Sequence, residues 1–299
     1  MRRVIEDAQQ KSKVSLMRGC RLFGISRQSI YQARQRSQAK EQLLAPVESE
    51  VRKWRRRLPR VGTRKLYYMI KPVLENEGIK LGRDGLFAYL KRKGLLIKPV
   101  KSYTKTTFSH HRFKKHPNLY KGVSLVRPNQ VYVSDITYVE SAQEVHYLSL
   151  VSDAFSRKIV GYQLSRDMKA SSVVKALKKT VVNRFDKSEL IHHSDRGSQY
   201  CSDIYQQALK KYKMVPSTTD GYDCYQNALA ERVNGILKQE FLIYKCNTFN
   251  QLKVLIKESV DAYNEIRPHL SLGMKTPNQV HKKTSCETQL AFKLTVNVF

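Results

Sequence analysis

Acidic side chains are scarce in this sequence. Its 299 residues hold 25 Asp and Glu against 55 Lys and Arg, a formal net charge of +30. An excess of that size repels itself in a compact state and usually goes with a polyanionic partner. Cysteine is sparse too: Cys20, Cys201, Cys224, Cys246 and Cys286 are odd in number, widely spaced and include no CxxC pair. Neither a disulfide framework nor a cysteine zinc site is indicated. His110, His111 and His116 lie close together, but with no cysteine nearby they suit solvated or phosphate-facing rings better than zinc. No apolar run approaches the ~20 residues that cross a bilayer, and no signal-peptide pattern is present. The expected setting is a reducing, DNA-containing compartment, the cytoplasm, with no membrane partner. A GxSxG nucleophile elbow and a GxxxxGKS loop are both absent, which argues against covalent serine chemistry and nucleotide hydrolysis.

The basic excess is uneven. Residues 1–120 hold 30 basic and 8 acidic side chains, a net of +22, whereas residues 121–299 hold 25 and 17, a net of +8. The front of the chain reads as the part that grips a polyanion, and the back as an ordinary globular domain. A basic ribosomal-type protein fits the charge alone, but the balanced half is large enough to bury a core. Near the start, Val14, Leu16, Met17, Cys20, Leu22 and Phe23 form an apolar face, Gly24 breaks it, and Ser26 is placed to cap a helix through Ile30 and Tyr31. That outlines a helix-turn-helix over 1–40, with Arg27, Gln28 and Ser29 opening the recognition helix; a plain helical hairpin has the same outline. Over 41–98 a helical DNA-binding domain is expected. One helix spans 63–77, with Leu66, Met69, Ile70, Val73 and Leu74 at helical spacing, and another runs from Arg83 to a stop at Gly94. Arg52, Lys53, Arg55, Arg56, Arg57, Arg60, Arg64 and Lys65 form either a phosphate-binding surface or a solvated helix face. Residues 99–124 interleave basic and aromatic side chains, among them Tyr103, Phe108, Arg112, Lys114 and Lys115. Both a backbone-tracking contact and a basic linker fit that pattern.

The pattern then changes. Residues 130–140 (QVYVSDITYVE) alternate apolar and polar as a strand does, and 145–152 and 158–164 follow suit around a turn at Asp153–Arg157. A helix is expected over 170–183, a short buried strand at 190–193, a helix near 203–212 and a strand at 213–217. A further helix runs from about 227 to 244, and a last one carries Leu252, Leu255, Ile256, Val260 and Tyr263. Three antiparallel strands followed by crossover helices suit an α/β fold, a mixed sheet with helices on its faces.

Against this background three acids stand out. Asp135 sits inside the first strand, where a carboxylate among β-branched residues is costly unless something pairs with it. Asp195 directly follows the fourth strand, the position at which open α/β sheets usually place ligand groups. Glu231 lies one turn into a helix, with 35 residues between it and Asp195. Three carboxylates brought together would need a cation, and hard oxygen ligands select Mg²⁺ or Mn²⁺ over zinc. Two such ions could activate an attacking oxygen and stabilise a departing one at phosphorus. Lys238, seven residues past Glu231, falls on the same helical face.

VYVSDITYV, HHSDRGSQY and NALAERVNGILKQE at that spacing resemble the catalytic core of bacterial insertion-sequence transposases, specifically the OrfB-type proteins of the DDE and retroviral-integrase superfamily. SDAFSRKIVGYQLS is similar to that family's second hairpin, and YNEIRPHLSLGMKTPNQV, Tyr263 to Val280, to its closing segment. The resemblance covers roughly 125–280. It implies a ribonuclease-H-like mixed five-stranded sheet with flanking helices over 125–285. Small all-α helix-turn-helix-like DNA-binding modules precede this core, and a tail, 286–299, follows it. In that fold the strands bearing Asp135 and Asp195 adjoin. The resemblance further implies that Asp135, Asp195 and Glu231 hold two Mg²⁺ or Mn²⁺ ions and that Lys238 touches the transposon end.

The implied reaction is two successive phosphoryl transfers without a covalent enzyme intermediate. Water frees a 3′-OH at the element's end, and that hydroxyl then attacks another strand, with no need for ATP. The implied partners are double-stranded DNA, both terminal inverted repeats and target, further copies of this chain on paired ends, and an upstream OrfA-type segment joined by frameshift fusion. The implied location is the bacterial cytoplasm, in association with the nucleoid. Rival readings are a ribonuclease-H-like nuclease that only hydrolyses, and a DNA-binding regulator with an inactive core. Two departures from the family pattern are Gln226, where an aspartate is usual, and Tyr132, where a tryptophan is common. Of the remaining acids, Asp153 reads as a turn former, Asp220 and Asp223 as shaping the loop before Glu231, and Glu240 as lying on the opposite side of its helix. Asn227 is expected to cap the helix that carries Glu231. His192 and His193 are expected to pack, cap or meet a phosphate.

Overall fold

The computed structural model describes residues 4–5, 15–98, 116–182, 184, 188–220 and 227–282. Arg112, Lys114, Lys115, Asp223 and Gln226 lie outside the described residues, as do His110, His111 and the 286–299 tail.

Helix α1 (Leu16–Leu22) starts at Ser15, whose side chain accepts from the Arg18 N–H. Gly24 turns the chain at φ +62, a conformation that costs glycine little. Ser26 then caps the next helix by accepting from the Ser29 N–H, as its position in the sequence suggests. Ile5, Cys20 and Ile30 close a small core under this hairpin. Helix α2 is longer than expected. It runs unbroken over Arg27–Arg57, so the modules expected at 1–40 and 41–98 share one helix. The stretch QARQRSQAKEQLLA explains this, being made almost wholly of good helix formers. Helices α3 (Thr63–Asn76) and α4 (Arg83–Arg92) pack on the carboxyl half of α2, where Leu44, Val47 and Val51 meet Leu66, Ile70 and Leu90 in one apolar cluster.

Strands β1 (Val131–Glu140), β2 (Val145–Asp153), β3 (Ile159–Ser165), β4 (Leu190–Ser194) and β5 (Met214–Thr218) form a mixed sheet in the order β3-β2-β1-β4-β5. β1–β2 and β2–β3 pair antiparallel, β1–β4 and β4–β5 parallel. This is the ribonuclease-H-like topology expected, with its connecting helices α5 (Ala170–Val182), α6 (Ser198–Cys201) and α7 (Asp203–Lys211). Val173, Leu177, Tyr200 and Tyr205 of these helices meet Tyr132 and Leu190 on one face of the sheet. Helices α8 (Ala228–Ile236) and α9 (Phe249–Glu265) cover the other face, where Val233, Ile256 and Val260 meet Val139, Leu148 and Leu150. Alternation along β1 therefore puts Tyr132 and Ser134 toward the first layer, and Val133 and Asp135 toward α8. Four-residue α6 is too short to leave a periodic signal in the sequence. The helix expected to reach residue 244 instead passes into a wider π turn over Leu237–Phe241 and stops.

The closing segment is tied down by its polar residues. Asn264 accepts from the Ile159 N–H and donates to the Ile159 carbonyl, at 2.9 and 3.0 Å, pinning α9 to the start of β3. Tyr263 donates to the Arg157 carbonyl at 3.0 Å. Arg267 forks onto Glu240 of the π turn, Nη2 to Oε1 at 2.6 Å and Nε to Oε2 at 2.7 Å. Lys65 of α3 reaches the same carboxylate at 3.2 Å, so Glu240 joins the helical module, the π turn and the closing segment. Among the described residues no helix is long and apolar enough to cross a membrane.

Candidate active site

Strand register brings two of the three acids together. Ser134 pairs with Ser194 across the parallel β1–β4 ladder, so the next residues, Asp135 and Asp195, sit side by side where β4 ends. Asp135 Oδ1 accepts from the Ile136 N–H at 2.9 Å, and Oδ2 accepts from Asn234 Nδ2 at 2.7 Å. Burial is the main cause that pushes its carboxyl up to about 7, and the negative charges of Asp195 and Glu231 add to it. The two hydrogen bonds pull the other way without prevailing. Asp195 Oδ1 accepts from the Gly197 N–H at 3.0 Å. A Cβ at Gly197 would stand 3.0 Å from that same oxygen, so the close approach admits only glycine without displacing the carboxylate.

Glu231 lies in the first turn of α8, exposed, its carboxyl raised by partial burial and by Asp195. Lys238, in the π turn, is half-buried. Desolvation lowers its ammonium, while the nearby charges of Asp135 and Glu140 draw it back up. Asp135 thus senses the charges of Asp195 and Glu231, and Lys238 that of Asp135. Among the described residues no three His, Cys, Asp or Glu side chains converge into a ready-made ligand cage.

Comparisons with known proteins give the family. Two family models, both described as integrase core domain, match residues 126–224 and 212–277. The insertion element IS600 uncharacterized 31 kDa protein of Shigella sonnei is 33% identical over 272 residues, covering 88% of this chain and 97% of its own length. The transposase for insertion sequence element IS629, also from Shigella sonnei, is 32% identical and spans 70% of this chain and 71% of its own length. The chain belongs to the integrase-core transposases of insertion sequences. Among solved structures, the HTLV-2 integrase catalytic core domain in complex with magnesium is 20% identical, with a TM-score of 0.41, over 52% of this chain and 98% of that one. The activity of this transposase is DNA transposition, and as an enzyme it is a DDE polynucleotidyl transferase.

Other residues of the transposase fall into place around the acids. Asn227 holds the N-cap position of α8, but its side chain does not cap. It donates instead to the Ser134 carbonyl at 3.1 Å, tethering the start of α8 to β1 beside Asp135. His192 and His193 are both buried within the sheet and pack there. His192 Nε2 lies 2.8 and 2.9 Å from the Ser134 and Tyr205 hydroxyls, and burial holds its pKa down to about 3, so the ring is neutral. His193 Nδ1 meets Ser217 Oγ at 2.9 Å. Asp153 is a buried turn former: it accepts from the Asn129 N–H and from both the N–H and the hydroxyl of Ser156. Asp220 is exposed.

Arg27 and Gln28 are exposed in the first turn of α2, and Arg56, Arg57 and Arg64 are exposed farther along the helical module. Arg55 is half-buried, and its Nε and Nη2 find no hydrogen-bond partner among the described residues. Lys65 differs from its neighbours. Its side chain is only 14% exposed and is committed to Glu240, away from any solvated phosphate-facing surface.

Asn234 is a residue that sequence reasoning misses, although its signal is present: it lies three residues past Glu231, on the face that meets β1. Its amide favours the ionised form of Asp135. Asn234→Ala is therefore expected to raise the Asp135 pKa further. The acidic limb of the pH–rate profile should move up by about one pH unit, roughly the worth of one charge-assisted hydrogen bond. An unmoved limb would mean that the contact does not govern the protonation of Asp135.

Proposed function

We propose that this chain cuts and rejoins DNA at the ends of its own insertion sequence, using divalent metal held by Asp135, Asp195 and Glu231. The observation that carries this reading is the Ser134–Ser194 register, which sets Asp135 beside Asp195 at a depth where Asp135 resists ionisation. Such a pair fits a cation: the donors are hard oxygens, and the neighbouring carboxylates raise Asp135 further. Two Mg²⁺ or Mn²⁺ ions bound there would activate the attacking oxygen and stabilise the departing one in an in-line displacement at phosphorus.

The chain's own residues do the rest. Asp135, Asp195 and Glu231 would hold the ions. Asn234 and the Gly197 N–H hold the two aspartates in orientation. Asn227 fixes the start of α8 against β1, and so the placement of Glu231. Lys238, beside Asp135, contacts the backbone of the element's end. Arg27 and Gln28 open a recognition helix, while Arg55, Arg56, Arg57 and Arg64, with Arg112, Lys114 and Lys115 of the linker, grip phosphates. Full assembly places several copies on paired inverted repeats, with an OrfA-type segment as an upstream partner, at the bacterial nucleoid.

The test incubates the purified chain and an Asp135→Asn variant with a labelled duplex of the terminal repeat in Mg²⁺ or Mn²⁺. Joined products from wild type alone are expected. Nicking without joining would favour a plain nuclease, or the need for the upstream partner. Binding with equal inactivity in both proteins, repeated with the full fusion, would leave a DNA-binding regulator.

A further inference from the structure

One buried group beside the acids has no use in the fold. Tyr200 lies in α6, directly after the turn that holds Asp195, with 2% of its surface exposed. Its ring stands edge-on to Tyr205 at 5.3 Å and tilted to His192 at 6.4 Å, so the ring itself is well packed. The hydroxyl is not: it is buried and has no hydrogen-bond partner among the described residues. Tyr205 shows the contrast, for its hydroxyl is satisfied by His192. A buried, unpaired hydroxyl destabilises a fold, and phenylalanine would keep the ring without that cost.

The surroundings of this side chain are not merely apolar. The ring edge borders Gly197, where a Cβ would touch both Tyr200 Cδ2 at 3.6 Å and Asp195 Oδ1 at 3.0 Å. Burial raises the phenol's pKa well above its usual value, and the charges of Tyr205, Asp135 and Asp195 raise it further. Both aspartates are therefore within electrostatic reach of an O–H that donates to neither.

We infer that Tyr200 is a positioning residue for the metal-loaded site, its hydroxyl donating to the Asp195 carboxylate once a divalent cation is bound. This inference rests on the proposed role of those acids. The donor costs stability in the metal-free protein and returns it on loading, since a hydrogen bond from outside the ligand set orients a carboxylate and strengthens its hold on the ion.

The experiment compares the full chain, Tyr200→Phe and Asp195→Asn by calorimetric titration with Mn²⁺ and by thermal unfolding without metal. Tyr200→Phe is expected to melt at the wild-type temperature or about 2–4 °C above it, yet to bind Mn²⁺ about tenfold more weakly. A purely structural tyrosine could not give those opposite signs. Equal Mn²⁺ affinity in wild type and Tyr200→Phe would overturn the inference while leaving the role of the acids intact. A clear fall in the metal-free melting temperature would also overturn it, because the hydroxyl would then be in use before loading. Identical Mn²⁺ titrations for wild type and Asp195→Asn would overturn both this inference and the proposed metal site.

Discussion

Asp135→Asn should abolish DNA cleavage and joining and, at the same time, make the metal-free protein harder to unfold. The loss of activity follows from the proposed role of Asp135 as a metal ligand, which asparagine does not replace, and a fall of roughly a thousandfold or more is expected. The gain follows from the cost of holding this carboxylate ionised. Its pKa stands near 7 in the fold against 3.8 in the unfolded chain, chiefly through burial and then through Asp195. The folded state therefore binds this proton more tightly than the unfolded state does. The associated stability is complete below about pH 4 and is lost as pH rises toward 7. The gap between folded and unfolded chain would correspond to ~4 kcal/mol at neutral pH; with the edge of the group open to solvent, about 2 kcal/mol is the sounder expectation. Asparagine carries no such penalty and can still accept from Asn234. Thermal unfolding without divalent metal should show the variant above wild type at pH 7.5 and the two converging near pH 4. Wild-type stability that matches the variant at both pH values would show that the site tolerates its charge without a cation.

Glu240→Ala should be the most damaging single change to the fold outside its apolar core. Arg267 is 3% exposed and Glu240 19% exposed. Removing the carboxylate leaves a guanidinium buried against Tyr263 and a neutral His269, which is held neutral by burial and by Arg267 itself. An uncompensated buried charge of this kind costs about 3–5 kcal/mol, on the order of a 10 °C fall in melting temperature. The pH dependence is the reverse of that at Asp135. Burial pushes the Glu240 carboxyl up, but Arg267 and Lys65 more than offset this and leave it below the usual value of 4.5. The clasp is therefore intact at neutral pH and weakens as pH falls through the carboxylate range. Lys65→Met, which keeps the Arg267 fork, should cost far less. Equal losses from the two variants would place the main stabilisation between α3 and the π turn instead of within the core.

Asp135 and Asp195 stand out in the sequence because of where they sit, one within an alternating strand and one at a strand's end, whereas Glu231, an ordinary first-turn acid, stands out by its spacing from Asp195 and the family resemblance. The sheet could be read because period-two alternation and turn residues are local signals. Lys65 could not. In the sequence it is one more cation in a basic run, and only the docking of α3 on the π turn commits it to Glu240. Asn227 shows a subtler case. Its position at the head of α8 is legible in the sequence, but its amide goes to a carbonyl on β1, 93 residues away, in preference to its own helix. Tyr200 belongs with these, because an unpaired hydroxyl becomes visible only when every neighbour is in place.

Helix α2 also acts as a ruler. Its 31 residues span about 46 Å, somewhat more than one 34–36 Å turn of duplex DNA. Arg27 and Gln28 stand at one end of this rod, and Arg56 and Arg57 at the other. Deleting one residue from its exposed middle would shorten it by only ~1.5 Å but swing one cluster about 100° around the axis relative to the other. The rod thus sets phase far more strictly than length. The angular relation of its two basic ends is written into the number of residues between Arg27 and Arg57.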